Sequence, residues 1–154
     1  MTHVYFDSSA LVKRYVAEVG TSWIMGLCAP DTGNALYTVR ISAAEIVAAL
    51  FRRAAMGSLT PSDAQIAVAQ FKADLAQHYQ IVEVNESLVS RAMTLAERHT
   101  LRGYDAVQLA AALELQAVRT ALSLPAITFV CADNQLNNAA GAEGLTTDNP
   151  NEHT

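Results

Sequence analysis

His3-Val4-Tyr5-Phe6-Asp7-Ser8-Ser9-Ala10-Leu11-Val12-Lys13-Arg14-Tyr15 is the stretch that decides the fold. Val4, Tyr5 and Phe6 form a short β-prone apolar run, Asp-Ser-Ser interrupts it, and apolar residues then resume at helical spacing. This is a strand running into a helix, with Asp7 at the junction. In a parallel α/β sheet, ligands collect at the carboxyl ends of the strands, so an acid at such a junction is a candidate for chemistry. Taken alone, Asp7 is more simply a helix N-cap, a role that Asp and Ser favour.

Outward from this stretch, strands and helices alternate. A helix is expected from Ser9 to about Glu18, and after Gly20 a second from about Thr21 to Ala29, with Trp23, Ile24 and Leu27 on its apolar face. Ala35 to Val39 follows as a strand, and a helix begins at Ser42 and stops at Gly57. Ser42 and Glu45 fit the capping-box pattern, which gives Glu45 a purely local role. Thr60-Pro61 opens another helix, Ile81 to Val84 is β-prone, and Asn85 caps a helix that ends near Arg98 and His99. The most apolar helix follows Arg102-Gly103-Tyr104-Asp105, with Asp105 in its first turn, where the helix dipole also favours an acid. Ile127 to Cys131 is the clearest strand, Asp133 stands just beyond it, Asn134 to Ala140 reads as a short helix, and Leu145 to Thr147 adds an edge strand. The expected domain covers residues 1–147, with 148–154 as a disordered tail lacking apolar residues.

The 154 residues and 51% hydrophobic content suit one compact domain. No apolar run of signal-peptide or membrane-span length is present, so a cytoplasmic protein with no membrane partner is expected. Cys28 and Cys131 lack metal-ligand spacing and read as reduced thiols. A net charge of −5 argues against nucleic-acid binding driven by bulk charge. It leaves room for a local basic surface built from Lys13 with Arg14, Arg52 with Arg53, or Arg98 near Arg102.

Alternating strands and helices imply an α/β fold with a mostly parallel central sheet covered on both faces. Asp7 and Asp133 then follow strands, while Glu45 and Asp105 lie in early helical turns that can open on the same edge. Four gathered carboxylates raise one another's pKa unless a cation compensates. With no Cys or His constellation, hard oxygen ligands favour Mg²⁺ or Mn²⁺, metals suited to phosphate-ester hydrolysis.

The phrases Asp7-Ser8-Ser9-Ala10-Leu11-Val12-Lys13, Ser42-Ala43-Ala44-Glu45, Tyr104-Asp105-Ala106-Val107-Gln108-Leu109-Ala110 and Phe129-Val130-Cys131-Ala132-Asp133 resemble, in order, the PIN-domain family and its VapC-like toxins. The likeness runs from the first strand to about Leu145. It implies a three-layer α/β/α domain, Mg²⁺- or Mn²⁺-dependent endoribonuclease activity on RNA, homodimerisation and inhibition by a cognate antitoxin protein. Position by position, Asp7, Glu45, Asp105 and Asp133 match the family's acidic quartet, which holds the metal, and Ser9 matches the hydroxyl residue that orders the site. Asn134 or Asn137 can share the role of Asp133.

Lys13 and Arg102, adjacent to the site in sequence, are candidates for phosphate contacts, with Arg14 behind them. Val12, Tyr15, Trp23 and Leu27 are expected to leave an apolar groove for an amphipathic partner segment. Haloacid-dehalogenase-like phosphatases need a second Asp where Ser9 stands, and receiver domains need a late Lys, whereas the last lysine is Lys72. The competing class is a catalytically silent PIN-like interaction module whose acids serve as caps.

Overall fold

A computed structural model describes residues 1–154. Five parallel strands, β1 (His3–Phe6), β2 (Ala35–Val39), β3 (Tyr79–Val82), β4 (Thr128–Val130) and β5 (Thr146–Asp148), lie in the order β3-β2-β1-β4-β5. The helices are α1 (Ser8–Leu11), α2 (Thr21–Leu27), α3 (Ser42–Ala55), α4 (Pro61–Gln77), α5 (Glu86–His99), α6 (Gly103–Ala121) and α7 (Asn134–Ala142).

Strand alternation sorts the interior into two cores. Val4 and Phe6 face one layer, with Leu11, Ile24, Ile46, Leu50 and Phe71. Tyr5 faces the other, with Leu88, Leu109, Phe129 and Leu136. The result is the expected α/β/α sandwich. The order of strands reverses at β1, which pairs with β2 on one side and β4 on the other. The carboxyl ends of β1 and β4 therefore flank the crevice where open α/β sheets bind ligands.

Local signals set most boundaries. The side chains of Asp7, Thr60, Asn85 and Asp133 each accept from the backbone N–H three residues on, capping α1, α4, α5 and α7. Three expectations are corrected. The first helix is one α-turn continued by a 3₁₀ turn, Val12–Arg14, and does not reach Glu18, whose N–H instead donates to the Thr21 hydroxyl at 3.0 Å.

The capping box is absent. Ile41 holds the N-cap position of α3 without a side-chain bond, and Ser42 lies inside the helix with its hydroxyl buried against Thr38.

Residues 148–154, expected as a disordered tail, form the end of β5 and a 3₁₀ turn, Pro150–Glu152. Polar bonds and a ring stack do there what apolar residues were thought necessary for: Asn149 donates to Asn134 at 3.0 Å, and His153 lies flat on Trp23 with ring centroids 3.9 Å apart.

Candidate active site

Asp7 continues the alternation of β1 past Phe6 and so enters the same side as Tyr5. It is buried, and its N–H donates to Val130 O, tying β1 to β4 at the crevice. Its carboxylate accepts from Ser9 Oγ at 2.7 and 2.8 Å, from Ala10 N at 3.0 Å and from Cys131 Sγ at 3.1 Å. Burial pushes its pKa up to about 6, against the pull of these donors and with a smaller push from Asp105. Ser9 also accepts from the Ala132 N–H, so one hydroxyl binds the loop after β4 to the acid after β1. Asp7 is thus both a cap and a member of the site.

Glu45 is not a cap. One carboxylate oxygen accepts from Ser8 Oγ at 3.0 Å and the other from Gln108 Nε2 at 2.9 Å. Gln108 is almost fully buried; its amide nitrogen also donates to Ser42 Oγ at 2.8 Å, and its amide oxygen accepts from the Tyr5 hydroxyl at 2.9 Å. One amide thereby ties β1, α3 and α6 together at the site. Sequence reasoning passed over Gln108, although a lone amide in the most apolar helix, one turn after Asp105, was the available signal. Ser8 was read only as a possible cap, and Cys131 only as an inert thiol.

Asp105 makes no side-chain hydrogen bond or salt bridge. Its pKa is raised by partial burial, then by the charges of Asp133 and Glu45, with Arg102 opposing. Asp133 is exposed and caps α7 through Leu136 N at 2.9 Å. Asp105 therefore shares its field with the other three acids, and none of the four is in a salt bridge. No group of three or more His, Cys, Asp or Glu side chains forms a ready chelate. The donor set nonetheless suits a hard divalent cation, being carboxylate oxygen throughout. Of the two asparagines, Asn134 is engaged by Asn149, while Asn137 donates to Cys131 O and keeps its Oδ1 buried and unpartnered.

A cleft of about 570 Å³ opens here between α1 and α3. It is lined by Glu45 and by Ser8, Tyr104 and Ala132, the chain neighbours of the other three acids. Lys13 lines it too, but its ammonium is bound to Glu18 at 3.0 Å. Arg102 sits at the start of α6, close enough to act on Asp105. Arg14 points away, donating to the Tyr79 hydroxyl at 2.7 Å beside Asp74.

The expected groove around Val12, Tyr15, Trp23 and Leu27 is filled. Val12 is buried, Tyr15 donates to Asp74 and packs edge-on against Phe71, Trp23 is covered by His153, and Leu27 packs on the core. Open apolar surface lies instead between α5 and α6, in a hollow of about 460 Å³ lined by Val89, Met93, Ala96, Tyr104 and Val107.

The sequence pattern of the PIN domain matches residues 4–141. Two Mycobacterium tuberculosis proteins, ribonuclease VapC45 and ribonuclease VapC49, are each 34% identical over 144 residues, covering 94% of this chain and 93% of their own. Among solved structures, VapBC2 from Rickettsia felis bound to a promoter DNA fragment superposes with a TM-score of 0.61 at 14% identity over 97% of this chain and 98% of that one. A toxin–antitoxin complex from Klebsiella pneumoniae gives 0.58 at 14% identity over 96% and 97%. With its sequence pattern, its relatives and its three-layer sheet in agreement, the chain belongs to the PIN-domain family, alongside the VapC ribonucleases.

Proposed function

We propose that this protein is a Mg²⁺- or Mn²⁺-dependent endoribonuclease and the toxin of a toxin–antitoxin pair. Its VapC relatives carry the name ribonuclease, and its structural neighbours include toxin–antitoxin complexes, both of which support a toxin ribonuclease. The observation that carries the reading is the condition of Glu45 and Asp105. Capping accounts for Asp7 and Asp133, so those two fit a silent interaction module equally well. Glu45 caps nothing and is held at both oxygens by neutral donors, and Asp105 is partly buried among acids with no partner. Keeping such charges uncompensated is unfavourable in a structural role and useful where a cation binds.

Asp7, Glu45, Asp105 and Asp133 are the residues that would hold the ion, and a bound divalent ion supplies an activated water and neutralises charge on the phosphate. Ser9 fixes Asp7 against the loop after β4, and Ser8 and Gln108 fix Glu45. Arg102, near enough to Asp105 to oppose its raised pKa, is the candidate to meet a phosphate oxygen. Lys13 can do so only by sharing or leaving Glu18. The RNA substrate, an antitoxin partner and a homodimer belong to the same proposal, and no helix is long and apolar enough to cross a membrane.

The test is cleavage of a single-stranded RNA by the purified protein in Mn²⁺, in EDTA, and after Asp105→Asn. Cleavage in Mn²⁺ that is abolished in EDTA and reduced at least ~100-fold in the folded variant is expected, the scale of losing a group that acts on the transition state. Equal cleavage by the folded variant removes the mechanism. No cleavage by the parent under any metal favours the interaction module.

A further inference from the structure

We propose that Lys13 and Arg53, paired to Glu18, together with Arg52, which lines the same cleft, form a phosphate-binding subsite for the RNA backbone flanking the cleaved bond. The choice of RNA as ligand rests on the ribonuclease function proposed above; the subsite itself rests on geometry.

Glu45 and Arg52 lie on one side of α3, seven residues apart, which is about 10 Å at 1.5 Å per residue. Both line the cleft, and of the α3 residues between them only the small Ala48 and Ala49 line it, so no bulky α3 side chain separates the two ends. At the basic end, Glu18 Oε1 accepts from Lys13 Nζ at 3.0 Å and its Oε2 stands 2.9 Å from Arg53 Nη1. The Lys13 side chain is only 7% exposed, yet the residue lines the cavity. A buried ammonium stays charged only with a partner, and Glu18 is shared between two cations, so it half-neutralises each. Arg52 is exposed and has no carboxylate within ion-pairing distance. Three positive charges against one negative leave a local surplus in a chain whose net charge is −5.

Two other basic residues named with them in the sequence do not compete. Arg14 is spent on Tyr79 and Asp74, and Arg98 on Glu143. The carboxylates at the opposite end repel a phosphodiester, so attraction for the backbone must come from elsewhere in the cleft. Arginine and lysine around a shared, displaceable carboxylate supply it, with Glu18 holding the two cations in place while the cleft is empty. Such contacts read the backbone and carry no base specificity.

The measurement is anisotropy of a labelled single-stranded RNA of mixed sequence, titrated in EDTA across a series of NaCl concentrations, so that no cleavage is needed. Each phosphate contact contributes about 0.7 to the slope of log K against log salt for a single strand. Arg52→Gln, at an exposed unpaired position, is expected to weaken binding several-fold and to flatten the slope by about 0.7. Glu18→Gln is expected to tighten binding and steepen the slope, an effect that loss of a purely structural ion pair does not produce. Lys72→Gln, on α4 away from the cleft, should match the parent.

Parent-like slopes in Arg52→Gln and Arg53→Gln, with unchanged melting temperatures, overturn the subsite. So does weaker RNA binding by a folded Glu18→Gln, or Arg52-dependent capture of a glutamate-rich peptide with RNA binding unaffected. If salt-dependent binding follows the expected pattern but Mn²⁺ gives no cleavage, the subsite stands and the ribonuclease function fails. Cleavage with parent-like slopes gives the converse.

Discussion

Asp7 serves two opposed ends: it caps α1, and it is a buried acid whose pKa is raised from 3.8 to about 6, chiefly by burial. An acid with a raised folded pKa contributes stability that is fully present below its unfolded value and is lost as pH rises through the folded value. In EDTA the protein should therefore lose stability between about pH 4 and pH 6, by about 3 kcal/mol for a shift of about two units. Asp7→Asn, which keeps an oxygen for the Ala10 N–H, should be free of that loss. Urea unfolding of both proteins at pH 4 and pH 7.5 measures it, and a pH-independent difference between them removes the assignment.

Gln108 is the other decisive residue. Gln108→Leu leaves the buried Tyr5 hydroxyl without its acceptor and Glu45 with Ser8 as its only donor. A loss of about 2–4 kcal/mol is expected for two such groups, with weaker cleavage at saturating Mn²⁺ because Glu45 is held at one oxygen only. A variant as stable as the parent shows that the amide is dispensable.

Among the elements, the C-terminal 3₁₀ turn behaves as a strap. Pro150 rests on Gly20, which has φ +87, and a Cβ there would lie 2.3 Å from Pro150 O. Asn151 reaches Ala132 O beside the site loop, and Asn149 holds Asn134, so the strap links α2 to the loop after β4. Gly20→Ala combines left-handed strain of about 1–2 kcal/mol with a backbone clash. The expected result is a melting temperature lower by roughly 4–8 °C. It should be accompanied by altered fluorescence of Trp23, the single tryptophan, as the His153 stack opens. Unchanged fluorescence and melting show that the strap is not coupled to α2.

Across the whole molecule, charge and apolar surface are segregated in ways that bulk composition conceals. A net charge of −5 coexists with a cleft that is acidic at one end and basic at the other. The N-terminal helices, which read as the place for a hydrophobic partner, are closed by their own contacts. The hollow between α5 and α6, with Met93 and Tyr104 largely exposed, is where apolar area remains uncovered. An antitoxin or a second copy that buries apolar surface has that hollow available to it.

The sequence by itself determined the order of elements and singled out the four acids as candidates. Strand and helix periods, the caps at Asp7, Thr60, Asn85 and Asp133, and the quartet Asp7, Glu45, Asp105 and Asp133 are local patterns, and local patterns survive without a fold. Most corrections concern what lies far away in the chain, the local exception being the early end of the first helix, where the Glu18 N–H meets the Thr21 hydroxyl. Whether Ser42 and Glu45 satisfy each other or reach Gln108 depends on where α6 packs, 63 residues on from Glu45. Whether the last seven residues are ordered depends on Trp23 and Gly20 being within reach. Which basic residues face the cleft depends on Asp74 and Tyr79 claiming Arg14 and Glu18 gathering Lys13 with Arg53. A polar side chain bonds to whatever partner the packed chain brings within about 3 Å, and only the tertiary structure brings it there.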